Sequence, residues 1–291
     1  MIGKPILGRI ENLPNIRREM IVDFHNRNYT GENITVLGVG DIPNHKIFMD
    51  MVYKHFGNYP TKSQIHQRIK PKFHPGISLV KPDLLENQPD GVNVGVFFEA
   101  ANWKDQDYYA FLILQRLIGD KPQHELEAKI FIQDASTNIF QNKLAGYHKI
   151  LFQQSLFTPY LDSGLFGNYF YGDVSSFEDM MDLTKWIFEK YAKGEITDLE
   201  LDRAKNKLFI EILQHETAND LSQAYGNQLM YLNRRVHRSE IAKRIANYRK
   251  EDIAAAVEKW LLNKPHSVTA WGNVEPLEKK YKIVARSSIT K

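Results

Sequence analysis

From Asn15 to Asn28 the apolar residues Ile16, Met20, Ile21 and Phe24 recur at helical spacing, and Thr30-Gly31-Glu32-Asn33 interrupts them before Ile34-Thr35-Val36-Leu37. The pattern predicts a helix, a turn and a strand. Pro43 opens a second helix with its apolar face on Ile47, Met51, Val52 and Phe56, and Gly57 is its stop. Residues 58–75 hold Pro60, Pro71 and Pro75 among Lys, Gln and His with little periodicity, and read as a linker.

A second region begins with Ile77-Ser78-Leu79-Val80, after which Val92, Val94, Val96 and Phe98 alternate as a half-buried strand. Asp105 leads into Tyr108–Ile118, apolar on nearly every side and ended by Gly119, as a core helix would be. Residues 120–137 are polar and irregular. A short helix around Ile139–Leu144 precedes strands at Ile150–Phe157 and Gly164–Tyr171, joined through Pro159 and Asp162. Ser175 with Glu178, and Thr197 with Glu200, have the spacing of capping boxes ahead of two helices. Helical stretches at Leu221–Leu232 and Ser239–Leu262 and a closing strand at Ser267–Trp271 complete the chain. Strands early, helices late and a returning strand indicate an α+β fold, helices layered on a mostly antiparallel sheet.

Sliding residues 16–43 along residues 248–275, an offset of 232, aligns two stretches without a gap. Arg17, Glu19, Ile21, Val36 and Gly40 fall on Arg249, Glu251, Ile253, Val268 and Gly272. Both stretches run charged helix start, amphipathic helix, polar turn, β-branched run, then a glycine followed by Asp41 or Asn273. Such internal similarity is the mark of a duplicated domain. If the later copy begins near Gly76, the same offset puts the start of the earlier one 156 residues before position zero. The expectation is that most of one domain lies outside this chain, with the first copy present only as its C-terminal part.

Composition narrows the possible functions. At 43% hydrophobic and 25% charged over 291 residues, the chain can bury a sizeable core. Its net charge of +3 comes from interleaved acidic and basic residues, so no nucleic-acid partner is expected. The absence of cysteine removes disulfides, a thiol nucleophile and thiolate metal ligands. No apolar run approaches the roughly 20 residues that cross a bilayer, so no transmembrane segment is expected. The first 15 residues, with Pro5, Glu11 and Pro14, do not read as a targeting segment.

A zinc hydrolase of the helical type needs two His on one face beside a Glu that activates the bound water. His124-Glu125 would need a third partner at position 128, which is Ala128, and His-x-x-Glu-His occurs nowhere. His66 and His74 lie in the proline-rich linker, and the histidines read as structural or solvent-facing. Gly38-Val39-Gly40 reads as a tight turn, since the third glycine of a dinucleotide loop would fall on Pro43. Arg234, Arg235 and Arg238 have the charge to seat an anion but read first as a solvated helix end. Ser163 lacks a nucleophile elbow and reads as a turn serine, and Phe166, Tyr169, Phe170 and Tyr171 as sheet packing. No catalytic, cofactor-binding or metal-binding residue is assigned in this chain.

The run Tyr160–Tyr171, together with Ile6–Asn12, Gln228–Arg235 and Ala270–Leu277 in that order, resembles the M16 metallopeptidase family over nearly all 291 residues. Gln228–Arg235 resembles the branch of beta-type mitochondrial processing peptidase subunits and cytochrome bc1 core proteins. The resemblance implies two similar α+β domains, each an antiparallel sheet covered by helices. Residues 1–57 would be the C-terminal part of the first, 58–75 a linker, 76–281 the complete second and 282–291 a tail. It also implies that the zinc motif lies in the part of the first domain upstream of Ile6–Asn12, so zinc is expected in the absent part or in a partner chain and none is expected here. Where many family members carry an Arg followed seven positions later by a Tyr, this chain offers Lys149 and Leu156. The glycine-rich loop of alpha-type subunits is lacking, since residues 119–126 hold one glycine.

The resemblance thus implies a component of a zinc-dependent, presequence-cleaving heterodimer that is inactive alone, or a non-catalytic core subunit of the bc1 complex. The implied partners are an alpha-type or second core subunit, bc1 subunits and presequence peptides. The implied location is the mitochondrial matrix or the matrix face of the inner membrane.

Overall fold

The computed structural model describes residues 6–61, 69–82, 91–121, 138–214 and 216–287. The chain divides into two compact units, Met1–Pro71 with Gln214–Arg235, and Lys72–Leu213 with Val236–Lys291. Part of the expected linker and most of the irregular stretch 120–137 lie outside the described residues. The division differs from the expected boundaries at Gln214–Arg235, which group with the first unit rather than the later one. The repeat covers only 16–43 and 248–275, so it carried no information on that stretch.

The first unit contains helices α1 (Arg18–Asn28), α2 (His45–Phe56) and, seventh helix in chain order, α7 (Ala218–Leu232). Asn44 caps α2, its side chain accepting from the Ile47 N–H at 2.9 Å, and Gly57 follows the last turn. Thr217 and Asp220 close a reciprocal capping box on α7, which ends at Asn233 in the left-handed region. Among the described residues, none of these helices fully buries a side chain; Ile21, Phe24, Ile47 and Met51 are exposed, while Val52, Leu221 and Leu229 are half-buried. The predicted strand at Ile34–Leu37 is extended but forms no ladder. A strand ladder needs a neighbouring strand, and none pairs with these residues among the described ones.

The second unit is built on a seven-stranded sheet in the order β3-β4-β5-β2-β6-β1-β7. The strands are β1 (Gly76–Lys81), β2 (Val92–Glu99), β3 (Asp120–Lys121), β4 (Ile150–Pro159), β5 (Gly164–Gly172), β6 (His266–Gly272) and β7 (Arg286–Ser287). Strand β1 runs parallel to β6 and β7, and the remaining pairs are antiparallel, as expected of a mostly antiparallel sheet. Central β2 buries Val92, Val94 and Val96 between β5 and β6. Gly167 permits the close approach of β5, since a Cβ there would meet the Val96 carbonyl oxygen at 1.9 Å.

The helices of this unit are α3 (Tyr108–Ile118), α4 (Ile139–Ala145), α5 (Phe177–Ala192), α6 (Asp198–Leu213), α8 (Arg238–Asn247), α9 (Lys250–Trp260) and α10 (Glu275–Tyr281). Helix α3 packs on β4, α6 and α9, and α5 on β2, β5 and α9. Their rings meet strand rings, with Phe98 edge-on to Phe188 at 5.2 Å and Phe111 stacked on Phe157 at 5.2 Å. Burying each such side chain contributes about 1.5–3 kcal/mol.

Two local expectations are corrected. Ser175 does not cap α5: its N–H donates to the Asp173 side chain at 2.7 Å, and its hydroxyl accepts from Lys149 Nζ at 2.8 Å. The upstream aspartate offers a nearer acceptor and folds Val174–Ser176 into a 3₁₀ turn instead. The stretch 239–262 is two helices, not one, because Tyr248 turns extended and Asp252 accepts from the Arg249 N–H at 2.7 Å, starting a new helix. Thr197 and Glu200 form their box as expected, with Thr197 Oγ1 accepting from the Glu200 N–H at 3.2 Å and Glu200 accepting from the Thr197 N–H at 3.0 Å.

Candidate functional site

The residues weighed for chemistry are dispersed. In the first unit Gly40 sits at φ 140° and its carbonyl accepts from the Ile42 N–H at 3.0 Å, the tight turn expected of Gly38-Val39-Gly40. His25 stacks on Tyr29 with ring centroids 4.6 Å apart. Arg235 lies over the Tyr225 ring, 4.4 Å from its centroid, and donates to its hydroxyl at 3.1 Å. In the second unit His237 caps α8, accepting from the Ser239 N–H at 3.2 Å, and His266 tilts against Phe98 at 5.1 Å. The carbonyl of Ser163 accepts from the Tyr160 N–H at 2.8 Å in the β4–β5 turn. Phe166 and Phe170 are buried, and the Tyr169 hydroxyl donates to Asn93 across β2. His66 and the His124-Glu125 pair lie outside the described residues.

Among the described residues no three His, Asp or Glu side chains converge as metal ligands. A catalytic zinc takes three protein ligands and an open position, and no such set is assembled among the described residues.

The second unit nevertheless carries two organised polar or concave features. A cavity of about 410 Å³ opens between β2, α5, β6 and the turn after α9, with Val96, Phe98, Phe188 and Leu261 among its apolar lining and Asp182, Lys185, Lys264 and His266 among its polar groups. It has the composition of a binding surface, not of a nucleophile with its base. Beneath the sheet edge a buried ladder links four elements. Gln141 Nε2 donates to Gln153 Oε1 at 3.1 Å, Gln153 Nε2 to Asn168 Oδ1 at 3.2 Å, and Asn168 Nδ2 to Thr184 Oγ1 at 3.3 Å. Gln141 and Gln153 also donate to the carbonyls of Ile118 and Gly119, which pins the end of α3. Sequence reading passed over this ladder, although Asn168 at an inward position of an alternating strand was its visible signal.

Perturbed titrations reflect burial and ion pairing. Burial pushes the Tyr108 hydroxyl well above the usual range, with the neighbouring Tyr109 adding to it. Burial likewise raises Tyr248 to about 12, assisted by the charges of Asp107 and Asp252. Glu178 is held below the usual carboxylate range by hydrogen bonds from Lys280 and then Tyr281, and Glu278 by Lys81 and then the Ala285 N–H. Lys149, which stands where many family members carry the Arg, is bonded to Ser175, and Leu156 lies half-buried on β4.

Comparison with known proteins places this geometry. A family profile described as "Peptidase M16 inactive domain" matches residues 15–208, more than half of the chain. The chain belongs to the peptidase M16 family. Its curated M16 relatives include the probable mitochondrial-processing peptidase subunit beta of Schizosaccharomyces pombe, 26% identical across 99% of this chain and 62% of the relative. The mitochondrial-processing peptidase subunit beta of Dictyostelium discoideum is 25% identical across 94% of this chain and 57% of its own length. The M16 chain thus spans about 60% of the curated relatives it matches. Among solved structures, a chain of complex III2 from Candida albicans superposes with a TM-score of 0.82 at 14% identity, covering 95% of this chain and 64% of that one. A protease from Helicobacter pylori superposes with a TM-score of 0.74 at 18% identity, over 91% and 61%. These likenesses identify the fold as M16-type.

Proposed function

We propose that the chain is the non-hydrolytic, C-terminal part of a beta-type mitochondrial processing peptidase subunit. The observation that carries this reading is the match to curated beta subunits over 94–99% of the chain. Residues 1–57 then form the end of the first M16-type domain and 76–281 the second, with 58–75 between them and 282–291 as a tail. The chain supplies a wall of the peptide chamber and a surface for an alpha-type subunit in the mitochondrial matrix.

Since His-x-x-Glu-His occurs nowhere in the sequence, hydrolysis of presequences is assigned in this reading to ligands elsewhere in the assembly, and no catalytic, cofactor or metal role is given to a residue of this chain. A second reading, a structural core subunit of the bc1 complex on the matrix face of the inner membrane, is favoured by the superposition on the Candida chain. The two are separated by purifying the tagged chain from its native mitochondria. Recovery with a chain bearing His-x-x-Glu-His, and loss of presequence cleavage on depletion, is expected of the peptidase component. Recovery with cytochrome b and the Rieske protein, with cleavage untouched by depletion, would favour the core subunit. Recovery with neither overturns both.

A further inference from the structure

The cavity of about 410 Å³ in the second unit is lined by two kinds of surface. The buried part is apolar: Val96 and Thr184, with Phe98 and Phe188 meeting edge-on at 5.2 Å beside them. The Thr184 hydroxyl is already engaged, donating to the Met180 carbonyl at 3.0 Å and accepting from Asn168 Nδ2 at 3.3 Å. A guest would meet its methyl group and the two rings. Half-buried Met181 adds a flexible, polarisable wall that adjusts to what it touches.

The exposed part is charged. Lys185 comes from α5, and Lys264 and His266 from the turn after α9 and the start of β6, against a single acid, Asp182. Lys264 forms no ion pair among the described residues, and Lys185 meets Glu189 at 3.8 Å with both side chains open to solvent. Nearby acceptors are largely used within the chain. The Val257 carbonyl accepts from the Leu261 and Leu262 N–H groups at 2.9 Å, the Leu261 carbonyl accepts from the Lys264 N–H at 3.3 Å, and the Lys264 carbonyl lies 3.3 Å from His266 Nδ1. Two ammonium groups facing one carboxylate leave the mouth with a positive surplus.

We infer that this cavity is a binding site for a small organic acid, a single carboxylate on a compact aromatic or branched aliphatic body. The body rests on Val96 and Thr184 beside Phe98 and Phe188, and Lys264 and Lys185 hold the carboxylate at the mouth. Apolar hollows of about 300–1,000 Å³ with a few fixed polar groups are the usual seats of small ligands. An amine of the same shape would be repelled by the two ammonium groups, and an alcohol would gain only the apolar contact. An extended peptide fits less well, because β2 and β6 are each paired on both sides and offer its backbone no edge. The inference does not depend on the choice between peptidase component and core subunit.

The test titrates hydrocinnamate into the full 291-residue chain and follows the ligand by saturation-transfer NMR, with its alcohol and amine analogues alongside. One site per chain is expected, with a dissociation constant below about 1 mM. At low salt the acid should bind at least about fivefold tighter than the alcohol, and the margin should shrink as salt rises. Lys264→Glu should weaken the acid at least about fivefold and leave the alcohol within about twofold. Met181→Trp, which fills the hollow, should remove binding of both while the urea midpoint of the second unit is retained. Should that variant unfold, Lys264→Glu, at an exposed position, carries the test alone. Equal binding of acid and alcohol, a preference for the amine, many weak sites in place of one, or an acid indifferent to Lys264→Glu would each overturn the inference. So would the absence of any binding by the acid.

Discussion

The same helix-turn-strand pattern appears twice in this chain, once inside a finished sheet and once with no strand beside it among the described residues. Within the second unit Ile253, Val257, Val268 and Ala270 are sealed by neighbouring elements. Their counterparts in the first unit keep helix, turn and bend but not the strand ladder or the buried face. Helical hydrogen bonds close within a segment, whereas strand hydrogen bonds and most apolar burial need another segment. The contrast separates what a segment specifies alone from what its surroundings must add.

The sharpest way to break this comparison is to place one charge in each copy. Ile253→Asp buries a carboxylate without a partner and is expected to cost more than about 4 kcal/mol, enough to abolish a cooperative transition of the second unit. Ile21→Asp meets solvent and should change the lone chain by less than about 0.5 kcal/mol. Tryptophan fluorescence in urea reads this directly, because Trp103, Trp186, Trp260 and Trp271 all belong to the second unit. Equal losses from the two variants would mean the first copy is packed after all.

A smaller effect distinguishes how the units handle buried polar groups. Gln153→Ala strips a middle rung from the ladder, leaving Gln141 and Asn168 without that partner, and should cost about 1–3 kcal/mol by urea unfolding. In the first unit Thr30 is buried, and its hydroxyl has no hydrogen-bond partner among the described residues. Thr30→Val is therefore expected to be neutral within about 0.5 kcal/mol.

The mildest test is acid. Glu178, Glu275 and Glu278 are held below the usual carboxylate range by Lys280, Lys279 and Lys81 respectively, all around α10. A carboxyl depressed in the folded state stabilises it above the unfolded value, about 4.3 for glutamate. That contribution disappears as pH falls through the lower folded value. The urea midpoint of the second unit should hold from neutral pH to about 5 and then decline, and Glu278→Gln should flatten part of the decline. A midpoint insensitive to acid would remove these pairs from the account.

Much of the fold could be read in the residues because the signals were local. Tyr108–Ile118 with Gly119 matched its helix limit for limit, and Val92–Phe98 alternated as a strand should. The break at Tyr248–Arg249 was hidden because the residues on both sides favour helix, and the Asp252 cap that makes it depends on one backbone bond. Ser175 was misjudged because two acceptors competed for neighbouring amides. The cavity beside Phe98 and His266 joins residues from four elements distant in sequence, so no spacing rule could expose it. The family resemblance, carried by Tyr160–Tyr171 and Gln228–Arg235, agreed with the M16 membership now shown.

The bend at Gly40 and Gly272 has its own implication. One copy lies within a finished sheet and the other lacks strand neighbours, yet both close the same three-residue loop. Its shape is thus written into the few residues that make it, chiefly a glycine free to take positive φ. Such a corner can outlive the architecture around it when a gene is duplicated or divided, and gives any incoming polypeptide a ready-made point of alignment.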